Sequence, residues 1–207
     1  IRVDIGINSQ PVILVGVGGG LAYDKLGSTH HSYEDIALMR TIPNMNLYAP
    51  FDPKDVCDCL KESFLLAETN KPSYIRLSKG GEKDLPRNAR IGRNIQLLKS
   101  NELKSHLFIS HGSIASLVLE SLNDDRFDHI TLLSISELSA NTLVELAQLL
   151  KDSSQSIMQI TVVEENFSAG GLHEALSSLL SKMHVTLTID HLCINHQYIF
   201  DINNREA

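Results

Sequence analysis

Short apolar runs alternate with amphipathic helical stripes along almost the whole chain. This rhythm restricts the fold more than any other feature, because it demands an α/β layer with a largely parallel sheet. Val12–Val17 is a buried strand running into Gly18, Gly19 and Gly20. Ser32, with Asp35 three residues on, reads as a capping box that opens a helix over Tyr33–Ile42. Asn46–Ala49 is a short strand stopped by Pro50. Asp52-Pro53 is the clearest helix start: the carboxylate caps orphan N–H groups, proline fits the first helical position, and Asp55 favours the positive end. Val56, Leu60, Phe64 and Ala67 follow as the expected buried face, and Ser73–Leu77 is the next strand.

The rhythm breaks at Lys79–Arg93, which is polar and contains Pro86. It reads as an interdomain linker, centred on residues 81–90. Beyond it, strands are expected at Leu107–Ser110, Ile130–Ile135, Ile160–Val163 and Val185–Ile189. Helical stripes fall between them: Ile114, Leu117, Val118 and Leu122; Leu143, Leu146, Ala147 and Leu150; Leu172, Ala175, Leu176 and Leu179. This second unit is of doubly wound type. The first holds too few strand–helix pairs for an independent sheet, and Ile1 is not a methionine, so the sequence is expected to begin partway through a domain. The expected division is residues 1–80, a linker at 81–90, and residues 91–207.

With 207 residues and 43% hydrophobic content the chain can bury a core, and disorder is excluded. Eighteen Lys and Arg against 25 Asp and Glu leave a net charge of -7, a poor match to nucleic acid. No apolar run approaches the roughly 20 residues of a bilayer span, so no membrane partner is expected. Three cysteines, Cys57, Cys59 and Cys193, do not form a secreted disulfide framework, and a cytoplasmic location is expected.

Several residues could carry chemistry. Gly16–Gly20 is either a phosphate cradle or a flexible strand exit, and its spacing matches no nucleotide fingerprint. His30 and His31 sit on the loop after the first strand, where open α/β sheets bind ligands, and could hold or protonate a substrate oxygen; the alternative is a loop hydrogen bond. Arg76, inside the apolar strand Tyr74-Ile75-Arg76-Leu77, needs an anion, either a substrate phosphate or a buried carboxylate. His191-x-Cys193-x-x-His196 matches no common zinc spacing and is expected to be strand-end and loop residues. Glu164-Glu165 ends a strand without a nearby nucleophile, which favours a strand-end and dimer-contact role.

The stretch Leu26-Gly27-Ser28-Thr29-His30-His31-Ser32, continued by Met39-Arg40-Thr41-Ile42-Pro43 and Ala49-Pro50, resembles the pyrimidine-binding domain of transketolases and 1-deoxyxylulose-5-phosphate synthases. Pro72–Leu77 is similar to a later strand of that domain. Val162-Val163-Glu164-Glu165-Asn166 with Gly170-Gly171-Leu172 resembles the transketolase C-terminal domain. The resemblance implies the C-terminal section of a thiamin-diphosphate enzyme that transfers a two-carbon or acyl unit to an aldehyde or sugar acceptor. The cofactor supplies the hard chemistry and the protein orients the reactants. It further implies His30 as the catalytic contact, with Arg76 and His31 on the substrate; Arg76 takes the place of an arginine that holds a sugar phosphate, and His31 replaces a common glutamine.

The departures matter equally. Leu26 stands where transketolases carry an aspartate that reads substrate hydroxyls, which points away from ordinary pentose-phosphate substrates and toward a specialised homologue. The chain contains no G-D-G metal motif, and the glutamate that activates the aminopyrimidine is expected to precede it. Thiamin diphosphate and magnesium are therefore expected only in the complete enzyme, with no cofactor or metal residue in this part and no activity in isolation. The expected partners are a sugar phosphate or a 2-oxoacid and aldehyde, a missing N-terminal domain or subunit, and a second copy in a homodimer. Two other readings share these folds: the β chain of a 2-oxoacid dehydrogenase decarboxylase component, and a non-catalytic dimerisation or regulatory module.

Overall fold

The computed structural model describes residues 1–200; residues 201–207, where the expected second domain ends, lie outside the described residues. Two sheets are present. The smaller contains β1 (Ile13–Val17), β2 (Asn46–Tyr48) and β3 (Ser73–Leu77), all parallel, in the order β1-β3-β2. Its helices are α1 (Asp35–Arg40) and α2 (Pro53–Ala67), and a π-helical turn at Arg2–Ile7 precedes it.

The larger sheet has the order β4-β5-β7-β6-β8-β9. Its strands are β4 (Ala89–Gly92), β5 (Ile95–Lys99), β6 (His106–His111), β7 (Ile130–Ile135), β8 (Gln159–Phe167) and β9 (Ile189–Ile194). β7, β6, β8 and β9 run parallel, whereas β4 and β5 are antiparallel additions at one edge. Alternation along each strand sorts side chains to two faces. Leu98, Ile130 and Leu132 pack with α3 (Ala115–Ser121), while Leu97, Ile109, Leu133 and Val162 pack with α4 (Ala140–Asp152) and α5 (Leu172–Lys182). Helices on both faces of a mostly parallel sheet make this the expected doubly wound unit.

The Asp52-Pro53 signal is realised in full. The Asp52 carboxylate is buried and accepts from the Asp55 N–H at 2.8 Å and the Leu85 N–H at 3.0 Å, and pairs with Arg87 at 2.5 Å. One residue thereby starts α2 and fastens the polar stretch that leads to the larger sheet.

Four expectations are corrected. Ser32 does not cap α1: the helix starts at Asp35, and Ser32 instead forms an antiparallel bridge with Gly20. The expected inner face of α2 is largely outward, with Leu60 37% and Phe64 60% exposed; Asp55, Cys59 and Ser63 face inward. Small side chains let α2 approach the sheet, and the buried Asp55 carboxylate accepts from the Phe51 N–H at 3.1 Å. The last strand runs over Ile189–Ile194 rather than Val185–Ile189. The end of the expected linker is already β4, hydrogen-bonded to β5.

The sheets meet along a continuous seam. The Ala49 N–H donates to Ser136 O at 2.8 Å and the Leu138 N–H to Leu47 O at 2.9 Å. Ile36, Leu47, Ala49 and Tyr74 from the smaller sheet share one apolar cluster with Ile109, Leu146 and Leu172 from the larger.

Candidate functional site

The carboxyl ends of β1 and β3 point toward the seam. The loop leaving β1 passes Gly18, at φ 90°, and Gly20, at φ 65°, both in the left-handed region open to glycine. A Cβ on Gly19 would lie 2.1 Å from Arg76 Nε, and one on Gly20 2.7 Å from Glu165 Cβ. These glycines therefore make room for side chains of this chain, which answers the cradle question: the close approach serves Arg76 and Glu165.

Arg76 is buried at 7% exposure. Its Nη2 donates to Ser32 O at 3.0 Å and to Glu165 O at 2.8 Å, and its Nη1 donates to Asn166 Oδ1 at 3.4 Å. Its Nε lies 3.5 Å from the Asp35 carboxylate, which also accepts from the Tyr74 hydroxyl at 2.8 Å. Of the two anion partners open to Arg76 from sequence, the carboxylate is present within the chain. The guanidinium joins β3, the histidine loop, α1 and β8.

The loop then presents His30 and His31. His30 is exposed, with Nδ1 2.9 Å from Thr29 Oγ1 and its ring edge-on to Tyr23. His31 is half-buried, with Nδ1 hydrogen-bonded to the Tyr33 hydroxyl. The Tyr33 ring in turn packs on Phe167. Leu26 ends a short 3-10 turn and is 52% exposed.

A cleft of about 380 Å³ opens at the ends of β1, β2 and β3, walled by the segments that follow them and by Ser113; neither His30 nor His31 is among its walls. Val17, Phe51, Val56 and Leu77 form apolar wall, and Ser78, Lys79 and Ser113 supply polar groups. The volume suits a small-molecule ligand, and the position is where open α/β sheets bind theirs.

Sequence reasoning missed His111 and Arg40. His111 ends β6, is fully enclosed, and borders Arg76, Gly19 and Glu165. Burial holds its imidazole down, to a pKa of about 4, so it is neutral near pH 7. Its only sequence signal was a polar residue ending an apolar strand. Arg40 donates to Gly170 O at 3.1 Å and Gly171 O at 3.3 Å, tying α1 to the turn before α5.

The paired glutamates divide their work. Glu164 accepts from the Leu172 and His173 N–H groups at 2.7 and 3.1 Å, from the Asn166 amide at 2.9 Å, and meets His191 Nε2 at 2.8 Å. These donors hold its carboxyl below the usual range against the opposing effect of burial. Glu165 offers its carbonyl to Arg76. His191 and Cys193 lie on β9, and the His196 ring packs on Phe167. Among the described residues no group of three His, Cys, Asp or Glu side chains is placed to hold a metal ion. No described helix is long and apolar enough to cross a membrane.

Residues 1–81 match the family described as transketolase, pyrimidine binding domain. The chain is 28% identical over 196 residues to one subunit of the apulose-4-phosphate transketolase of Phocaeicola vulgatus, covering 91% of this chain and 59% of that protein. It is 29% identical over 154 residues to 1-deoxy-D-xylulose-5-phosphate synthase of Aliarcobacter butzleri, covering 72% of this chain and 25% of the synthase. The chain thus spans less than two thirds of the length of either relative. Among solved structures, a split-gene transketolase described as an inactive beta4 tetramer superposes with a TM-score of 0.71 at 23% identity, covering 94% of this chain and 61% of that one. A transketolase from Campylobacter jejuni gives 0.61 at 18% identity, covering 94% of this chain and 28% of that one. Residues 1–81 thus carry a transketolase pyrimidine-binding domain, and the chain as a whole is similar to the C-terminal part of transketolase-like thiamin-diphosphate enzymes.

Proposed function

We propose that this chain supplies the substrate-facing half of a composite transketolase-like transferase, completed by a further domain or subunit that carries the diphosphate and its magnesium. The observation that carries the reading is the placement of the His30–His31 loop. The loop leaves the carboxyl end of the parallel strand β1 and is anchored from beneath by Arg76, and a ligand-sized cleft opens at the ends of the same sheet's strands. When bound, thiamin diphosphate supplies the carbanion chemistry, and the chain's own groups bind and orient the substrate.

His30, exposed on the loop, orients or protonates a substrate oxygen. His31, half-buried and hydrogen-bonded to the Tyr33 hydroxyl, braces the loop that carries His30. Arg76 acts as a positioning residue that sets the loop through the Ser32 carbonyl. With Leu26 in place of a hydroxyl-reading carboxylate, the acceptor is a specialised sugar or aldehyde. The names of the relatives, part of a transketolase and several synthases, support a transferase over a non-catalytic module.

The smaller sheet offers a place for the completing region to dock. β1 pairs only with β3 among the described strands, leaving its outer edge open. Val15, Val17, Phe64 and Leu65 are each more than half exposed nearby on β1 and α2. Such an edge with apolar neighbours is a liability unless covered. A cytoplasmic dimeric assembly fits three cysteines that are all free.

The test is reconstitution. The chain is co-expressed with a polypeptide carrying a G-D-G diphosphate domain, and two-carbon transfer to aldehyde acceptors is measured. Transfer that falls on the order of 10²-fold with His30→Ala supports the reading. Transfer indifferent to His30 contradicts it.

A further inference from the structure

A cleft beside the far edge of the larger sheet is built from groups that the transferase reading does not use. α5 sets His173, Ser177 and Ser181 at i, i+4 and i+8, one above another on its outward face. The chain turns back through His184, at φ 55°, and returns past Thr186 to β9. These groups, with Leu180 and Leu187, enclose about 480 Å³, the size of a small-molecule site.

The supporting layer is already fastened. The His173 ring stacks on His191 at 4.2 Å, with 13° between the planes. His191 Nε2 meets Glu164 at 2.8 Å, and Glu164 also caps the first turn of α5. Its carboxylate therefore spends its acceptor capacity inside the protein. What faces the cleft is a donor set: two imidazoles and the hydroxyls of Ser177, Ser181 and Thr186. Among the described residues no three His, Cys, Asp or Glu groups converge as metal ligands, so a cation does not suit it.

We propose that this cleft binds the phosphate group of a small phosphorylated metabolite, with His173 and His184 on the anion and the three hydroxyls completing its hydrogen bonds. Several potential donors lining one cleft, with Ser177 Oγ 3.5 Å from His173 Nε2, match the acceptors of a tetrahedral oxyanion. The volume exceeds that of a bare ion, which leaves room for the organic part. The charged and titratable groups around His173 are His191 on β9, Glu164 on β8, Glu174 on α5 and His184 on the following turn. Burial and then His191 hold the His173 imidazole below its ordinary range. A bound anion opposes both, so binding draws a proton onto His173 and weakens as pH rises. A phosphate monoester gains negative charge above its second pKa of about 6. Ligand charge alone would therefore give the opposite trend.

The test is a histidine-ring NMR titration of the 207-residue chain with glycerol 3-phosphate and with inorganic phosphate, at pH 6 and pH 8, against sodium chloride. The expected result is saturable shifts at His173 and His184 but not at His196, which packs on Phe167 beyond the opposite end of β9. Binding should weaken about tenfold at pH 8, and about tenfold in Ser177→Ala or Ser181→Ala, each of which removes one hydroxyl donor. The ester should bind more tightly than inorganic phosphate. Absence of saturation, equal shifts at His196, affinity that rises with pH, or no preference for the ester would each overturn the proposal.

Discussion

Replacing Arg76 by methionine keeps most of the aliphatic stem and removes the guanidinium. The Asp35 carboxylate then loses a cation at 3.5 Å and retains the Tyr74 hydroxyl. The carbonyls of Ser32 and Glu165 lose donors at 3.0 and 2.8 Å. Removing one member of a buried charge pair costs about 3–5 kcal/mol, because the remaining charge stays buried without its partner. The carbonyl losses fall within the same rearrangement and do not add in full. A stability decrease of about 3–5 kcal/mol is expected, read as a shift of the urea midpoint at unchanged slope. Arg76→Lys should recover only part of it, since one ammonium cannot reach the carbonyls and the carboxylate as the planar fork does. A loss below about 1 kcal/mol in Arg76→Met would refute the clamp and return Arg76 to the role of a direct anion ligand.

Other outcomes follow from the same geometry. Asp52→Ala removes a helix cap and the partner of Arg87, and should destabilise by about 3 kcal/mol in denaturant unfolding, well beyond the roughly 1 kcal/mol of an ordinary cap. His111 is neutral in the fold, with a pKa of about 4. The unfolded chain binds its proton near pH 6.5. Its contribution is thus fully present above pH 6.5 and lost as pH falls toward 4, so the stability gap between wild type and His111→Gln should change by about 3 kcal/mol across that window. Asp55, raised by burial to about 7, acts in the opposite direction, which is why the comparison with the variant is needed. Limited proteolysis tests the two-unit division: the first cut should fall within residues 79–88, and a first cut inside α4 would contradict it.

Most strands and helices were legible from local pattern, because each buried strand reads as an apolar run and each helix of the larger unit as a stripe. Asp52-Pro53 worked because capping depends on atoms only three residues away. Reading failed where tertiary packing overrode the local signal. α2 turned its apolar stripe outward because the seam accepted Asp55, Cys59 and Ser63 instead. β4 and β5 were hidden by Arg, Gly and Asn residues at an antiparallel edge. Val185–Thr188 looked like a strand but only leads into β9. The site divides in the same way. His30, His31 and Arg76 stood out as polar residues at strand ends. The partners of Arg76 lie up to 90 residues away in sequence, and no spacing rule joins Arg76 to Asn166.

The central claim is that this chain holds only part of a composite cofactor site. Calorimetric titration of thiamin diphosphate with magnesium tests it most directly, first into the chain alone and then into its complex with a polypeptide carrying the diphosphate domain. The expected result is no tight site in the chain alone and a saturable site in the complex. A dissociation constant near 1 μM for the chain alone, about -8 kcal/mol, would contradict the claim, because it would mean a complete site within this chain.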